Sequence, residues 1–248
     1  MMALLVMACT TASPPHPSVP EEGVVSSATY TWGLTAPTDA AWRPEGGWTW
    51  TTDLGYVVEL HDAQLVGYSV WLEPCPRPRS VGLLDLLVAP AWAGHSVMSN
   101  PTASRTPVVL DLTAPGVVAL EPIAFAPDRF CKVGALHARG DAHIRPAGHD
   151  MNGATLKLRG TWRRGEQHGE MAWTTPIAHS AAASFVPTGR GTHVAVDVRV
   201  SLDGLFDGID LGREEGPRVL RAVLTHLVDH TNLRATRTEP PTPRTWSP

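Results

Sequence analysis

The chain has 248 residues, a formal net charge of −4 at pH 7 and a pI near 6.2. This charge balance offers no basic surface for nucleic acid, and no run rich in Lys and Arg favours contact with anionic lipid. Its 23 prolines and 22 glycines, with few long apolar periods of 3.6, indicate strands and turns rather than helices. We therefore expect a mainly β fold, an antiparallel β-sandwich-like single domain with one C-terminal α-helix.

The N-terminus has the features of a bacterial lipoprotein signal. Residues 1–8 form an apolar run that ends in Met-Ala before Cys9, and a small residue before cysteine suits cleavage and lipidation. Residues 1–8 are therefore predicted to be a signal peptide, with Cys9 as the lipidated first residue of the mature chain. The run lacks a basic start and is shorter than the roughly 20 residues that span a bilayer, which leaves open an upstream start codon or a cytosolic N-terminus. Thr10, in place of an acidic residue, resembles lipoproteins of the outer membrane, which face the periplasm or the cell surface.

The remainder of the chain divides by composition. Residues 9–23 are rich in Pro, Ser and Thr and are predicted to be a flexible tether. Residues 24–233 form the predicted sandwich domain. Residues 234–248 hold mainly Thr, Pro and Arg without periodicity, and a disordered tail is expected there.

Apolar periodicity predicts the strands and the helix. Every second side chain is apolar in residues 56–60 and 68–72, which predicts two strands joined by a turn at residues 62–64. Residues 192–202 give the clearest strand. A helix is predicted after Gly216, with Pro217 in its first turn. Its apolar stripe comprises Val219, Leu220, Val223, Leu224 and Leu227.

The cysteines suggest a disulfide. With Cys9 assigned to the lipid anchor, Cys75 and Cys131 remain as one pair, and both lie at predicted strand positions. Such a bond is expected in an oxidising compartment. It would close a loop of about 56 residues and, on the chain-entropy model, stabilise the fold by about 4 kcal/mol.

Histidine is frequent, with 11 in the chain, and three fall within one segment close to Met151. Imidazole suits copper, zinc or nickel, and a nearby thioether suits Cu(I). The predicted metal ligands are His95, His137, His143 and His149. The alternative is that these are ordinary loop histidines of an Arg-rich chain and that His137 is a satisfied interior histidine.

Three further sequence features bear on possible binding or catalytic sites. The aromatic residues of the first strands could pack in the core or present a ligand platform (Tyr30, Trp32, Trp42, Trp48 and Trp50). Asp203, Asp207 and Asp210 could bind calcium, although turn chemistry explains Asp-Gly pairs more simply. No standard catalytic signature is present, so no enzyme is expected. His95 beside Ser96 is the single local hint of a hydrolase.

The order of elements resembles the MbnP-type copper-binding proteins. The similar parts are the strands of residues 56–75, the strand of residues 194–202 with the Gly-Leu-Phe-Asp-Gly segment after it, and the closing helix. The resemblance implies copper as ligand and a dihaem MbnH-like partner that oxidises a tryptophan to kynurenine. The Met171-Ala-Trp173 run makes Trp173 the candidate for that modification.

Together these observations predict an exported, membrane-anchored lipoprotein that acts as a non-enzymatic binding protein, with copper as the first candidate ligand. The alternative is a structural or interaction lipoprotein of the envelope that binds no metal and contacts a protein or glycan through exposed aromatic residues. Convergence of the histidine side chains in space would distinguish the two.

Overall fold

A computed structural model describes residues 25–43, 45–75, 100–146, 150–185 and 191–239. Within these ranges the chain is mainly β, with thirteen strands and one helix, as expected. No helix in the described ranges has the length and hydrophobicity that a membrane span requires. Cys9, His95 and His149 lie outside the described residues, as do the predicted signal peptide and the tether.

The smaller sheet is built around β1 (Val25–Thr35). This strand runs parallel to β12 (His193–Ser201). The sequence analysis expected an antiparallel sandwich, and this one pairing departs from it. The remaining strands of this sheet pair antiparallel: β13 (Thr231–Thr238), β6 (Val117–Ala119) and β7 (Ile123–Asp128).

The larger sheet is organised by β4 (Val57–Pro74), an 18-residue strand that pairs with four others. These partners are β3 (Trp48–Thr51), β5 (Val108–Asp111), β8 (Phe130–His137) and β9 (Leu156–Arg164). Three further strands extend the sheet: β2 (Ala40–Trp42), β10 (Gln167–Thr175) and β11 (His179–Ser184).

The core lies between the sheets and is closed by α1 (Gly216–Asp229). The predicted apolar stripe of the helix is fully confirmed, since all five residues are buried. The inward positions predicted for β12 are also confirmed, because Val194, Val196, Val198 and Val200 are buried, but His193, expected to face outward, is buried as well. A disulfide joins Cys75 to Cys131, with their Cα atoms 4.8 Å apart.

The predicted turn at residues 62–64 is wrong, because β4 runs straight through it. Register shifts occur at His61, where β4 pairs with β9, and at Tyr68, where it pairs with β8. Each bulge changes which alternate residues face the main core: Leu60 does so before the first bulge, Leu65 between the two, and Val70 after the second. Tyr68, expected in the main core, therefore packs on the opposite face against the small cluster that contains Val66 and Met151.

The predicted disordered tail also needs correction. Its first five residues, 234–238, belong to β13, which pairs with β12 along its length. The sequence shows little apolar periodicity there, because β13 lies at the edge of its sheet and its side chains are alternately half-buried and exposed.

Most of the early aromatic residues pack in the core, as the simpler interpretation expected. Tyr30, Trp32, Trp48 and Trp50 are buried. Trp42, at the edge strand β2, is 48% exposed.

Candidate functional site

His137 is the last residue of β8 and is completely buried. Its Nδ1 lies 3.1 Å from the Val66 carbonyl oxygen, which can only accept, so Nδ1 carries the proton of the neutral ring. The lone pair then lies on Nε2, which is buried and has no hydrogen-bond partner. An unpartnered buried polar atom is uncommon in folded proteins and calls for an explanation.

The environment keeps this imidazole neutral. Burial lowers the pKa of His137 to about 4, against the opposing effect of the Val66 hydrogen bond. His179 lowers it further. At neutral pH, His137 is therefore an uncharged ring with a fixed tautomer and a free lone pair, the state in which histidine binds metal ions.

Three strands surround the His137 ring. In the sheet, His137 pairs with Gly67 of β4 on one side and with His179 of β11 on the other. From the facing sheet, Trp32 makes an edge contact, with ring centroids 5.3 Å apart and planes at 72°. The Trp32 Nε1 donor is also buried without a partner, so two unsatisfied polar atoms belong to rings in contact.

His179 shares a face with His137, because directly paired residues point to the same side of a sheet. It is half-buried. The sequence analysis did not include His179 among the candidate ligands. Its Pro- and Ala-rich segment gives no indication that this strand pairs with β8.

The four predicted metal ligands are not assembled in the part of the chain that the structure describes. His143 is exposed in the loop after β8, where its backbone N–H donates to Asp141 Oδ1 at 2.8 Å. Within the described ranges, no three His, Cys, Asp or Glu side chains lie together as a metal site. The contribution of His95 and His149 remains a prediction.

Trp173, the residue proposed for modification, lies in β10 and is half-buried. It packs against the first residue of α1, since a Cβ on Gly216 would stand 2.8 Å from Trp173 Nε1. Trp32, rather than Trp173, is the tryptophan that touches His137.

The aspartates of residues 203–210 act as turn residues. Asp203 Oδ1 accepts from the Thr38 backbone N–H at 2.6 Å, and Asp207 Oδ1 accepts from the Asp53 backbone N–H at 3.3 Å. Asp210 accepts from the Tyr56 hydroxyl. These contacts hold the segment against the first strands and use the carboxylates that a calcium ion would need.

No protein-family model matches the chain, and no curated protein matches it either. Among solved structures, it is similar to MbnP from Methylosinus trichosporium, with 9% sequence identity and a TM-score of 0.33. The alignment covers 85% of this chain and 98% of that chain. A likeness this distant carries no argument about the ligand or activity of this protein.

Proposed function

We propose that the protein is an exported, membrane-anchored lipoprotein that acts as a non-enzymatic binding protein, and that it binds copper through His137 and His179. The observation that carries the proposal is the buried Nε2 of His137, which has no hydrogen-bond partner. Leaving such an atom unsatisfied costs about 1–3 kcal/mol. A bound ion would supply the missing partner.

The surroundings favour a monovalent ion. Imidazole is an uncharged ligand when it binds a metal ion, and no carboxylate joins His137 and His179 among the described residues. Burying a charge without a counter-charge is costly, and the cost rises steeply with the charge of the ion. Zn²⁺ usually takes four ligands, whereas Cu(I) accepts imidazole in low coordination. We therefore assign Cu(I) to this site.

The disulfide supports export. Cys75 and Cys131 are bonded, and such bonds persist in oxidising compartments such as the periplasm and the cell surface. Export agrees with the lipoprotein signal predicted for residues 1–8 and with lipidation at Cys9.

The test is a competitive titration of the purified domain with Cu(I) and a chromogenic Cu(I) chelator, without oxygen. The domain is expected to take about one Cu(I), and His179→Gln is expected to weaken binding by about tenfold or more. His143→Gln serves as the matched control, because His143 is exposed and belongs to the set first predicted from the sequence. If His143→Gln lost Cu(I) binding and His179→Gln kept it, the copper site would lie among the loop histidines and not at His137 and His179.

A second candidate function is a metal-free interaction lipoprotein of the envelope. Trp42 supports this function, because its ring is half-exposed at the edge of the larger sheet. The ring makes an edge-to-face contact with Trp48, with centroids 4.8 Å apart. Amphipathic aromatic residues of this kind are enriched at protein interfaces. Failure of the purified domain to bind Cu(I) would favour this function.

A further inference from the structure

The outer face of the larger sheet, which points away from the core, carries an open trough along β9. Leu156 and Leu158 of this strand point into the core. The alternate residues therefore point outward, namely Lys157, Arg159, Thr161 and Arg163. Two depressions follow this row, one of about 230 Å³ at residues 161–163 and one of about 390 Å³ at residues 157–159. Six residues of a strand span about 20 Å, so the trough has room for an extended ligand.

The strands on either side of β9 complete the trough. Thr161 pairs with Glu59 of β4 on one side and with Glu170 of β10 on the other. Arg159 pairs with Asp62 of β4. Because directly paired residues point to the same side of a sheet, acidic, basic and hydroxyl groups alternate across the trough.

Two of the charges in the trough are already neutralised by neighbours. Lys157 Nζ lies 3.0 Å from Asp150 Oδ2. Glu59 Oε2 lies 3.0 Å from Arg43 Nη1. These two ion pairs leave the groups in the middle of the trough to determine what it can bind.

The groups in the middle of the trough are available to a ligand. Arg159, Arg163 and Glu170 are exposed. Within the described ranges, none of these three side chains makes a hydrogen bond or an ion pair, and neither does the Thr161 hydroxyl. The two arginines are matched by two carboxylates, Asp62 and Glu170, so their formal charges cancel.

This combination suits a neutral ligand rich in hydroxyl groups. A hydroxyl both donates and accepts, so successive hydroxyls of a sugar chain can accept from the arginines and donate to the carboxylates. A polyanion would meet the unpaired carboxylates, and placing like charges together is costly. A peptide would rely on apolar anchors in pockets, for which the outer face offers mainly Val57 and Ala172.

From this geometry we propose that the trough along β9 binds a neutral polysaccharide chain, with Arg159, Arg163 and Glu170 as its main contacts and the Thr161 hydroxyl between them. The site goes beyond copper binding and does not depend on it. His137 points inward, where it contacts Trp32 of the facing sheet, whereas the trough lies on the outer face.

The proposal is tested by native affinity electrophoresis of the full chain in a Cys9→Ser background, through gels that contain amylose, laminarin, mannan or hydroxyethyl cellulose. At least one of these neutral polysaccharides should retard the protein. Arg163→Ala and Glu170→Ala should each weaken binding by about tenfold, because each removes a hydrogen bond to a charged group. Arg218→Ala and Glu121→Ala are the matched controls, since both side chains are exposed and lie outside the larger sheet.

All four variants replace one exposed side chain, so each should unfold at the temperature of the parent protein. A further gel containing dextran sulfate tests for a polyanion. Retardation by dextran sulfate alone, removed by salt, would overturn the proposal. Retardation by none of the neutral polysaccharides would overturn it too, as would equal retardation of the trough variants and the controls. Cu(I) uptake should be unchanged in Arg163→Ala and Glu170→Ala, which separates this result from the copper site.

Discussion

His179 stands directly opposite His137 in the antiparallel pairing of β11 with β8. Residues in this relationship have Cβ atoms about 5 Å apart, so their rings can meet over the same face of the sheet. His137 contributes a buried nitrogen that lacks a hydrogen-bond partner, and His179 is half-buried. The proposed copper site depends on this pairing.

The stability of the fold should fall in acid through His137. The ring takes up a proton near pH 6.5 in the unfolded chain but only near pH 4 in the folded state. Between these values the unfolded state binds more protons, so the free energy of unfolding decreases as the pH falls. The contribution is fully present above pH 6.5 and amounts to roughly 3 kcal/mol.

Urea unfolding at pH 7.5, 5 and 4 would measure this effect in wild type and in His137→Gln. Burial also lowers the pKa values of His193 and His226, but both residues are kept in the variant and cancel in the comparison. The variant should lose less stability than wild type between pH 6.5 and 4. Identical pH dependence in the two proteins would show that His137 does not titrate as described.

Gly67→Ala should destabilise the fold by disturbing the rings around His137. A Cβ on Gly67 would stand 2.9 Å from the Trp32 indole, and Trp32 is completely buried. Overpacking of this kind typically costs about 1–3 kcal/mol. Gly116→Ala is the matched control, because its Cβ would meet nothing nearer than 4.0 Å. Equal free energies of unfolding in the two variants would contradict the close contact between Gly67 and the Trp32 ring.

Reduction of the Cys75–Cys131 bond should lower the free energy of unfolding by about 4 kcal/mol, because the bond closes a long loop. The native protein should not react with thiol reagents at these positions until a reductant is added. Mass spectrometry after alkylation would check this. Modification of both cysteines in unreduced protein taken from the cell envelope would refute the pairing in the cell.

Cys9→Ser should move the protein from the membrane fraction to the soluble envelope fraction, since the short apolar run of residues 1–8 cannot span a bilayer. Fractionation and immunoblotting would follow the change. Retention of the variant in the membrane would contradict lipidation at Cys9.

Strict periodicity made part of this fold predictable. The β12 alternation and the α1 stripe are each set by one uninterrupted pattern within a single element. In β4 the pattern is broken by bulges at His61 and Tyr68, and a change of face at a bulge looks in the sequence like a turn between two strands.

The candidate site was harder to predict, because it depends on pairing between distant strands. His137 was recognised by composition, whereas His179 enters only through the register of β8 with β11. The parallel pairing of β1 with β12, which helps to bring Trp32 over His137, joins residues 166 positions apart in the sequence. No local signal encodes such a contact.

The most direct test of the copper site is nitrogen NMR of ¹⁵N-histidine-labelled protein with Ag(I), a diamagnetic monovalent ion that can replace Cu(I). In the free protein, the His137 signals should show a neutral ring with the proton on Nδ1. Saturating Ag(I) should produce metal couplings at His137 Nε2 and at one His179 nitrogen, with the other described rings unchanged. Couplings at other histidines while His137 Nε2 stays unperturbed would contradict the account.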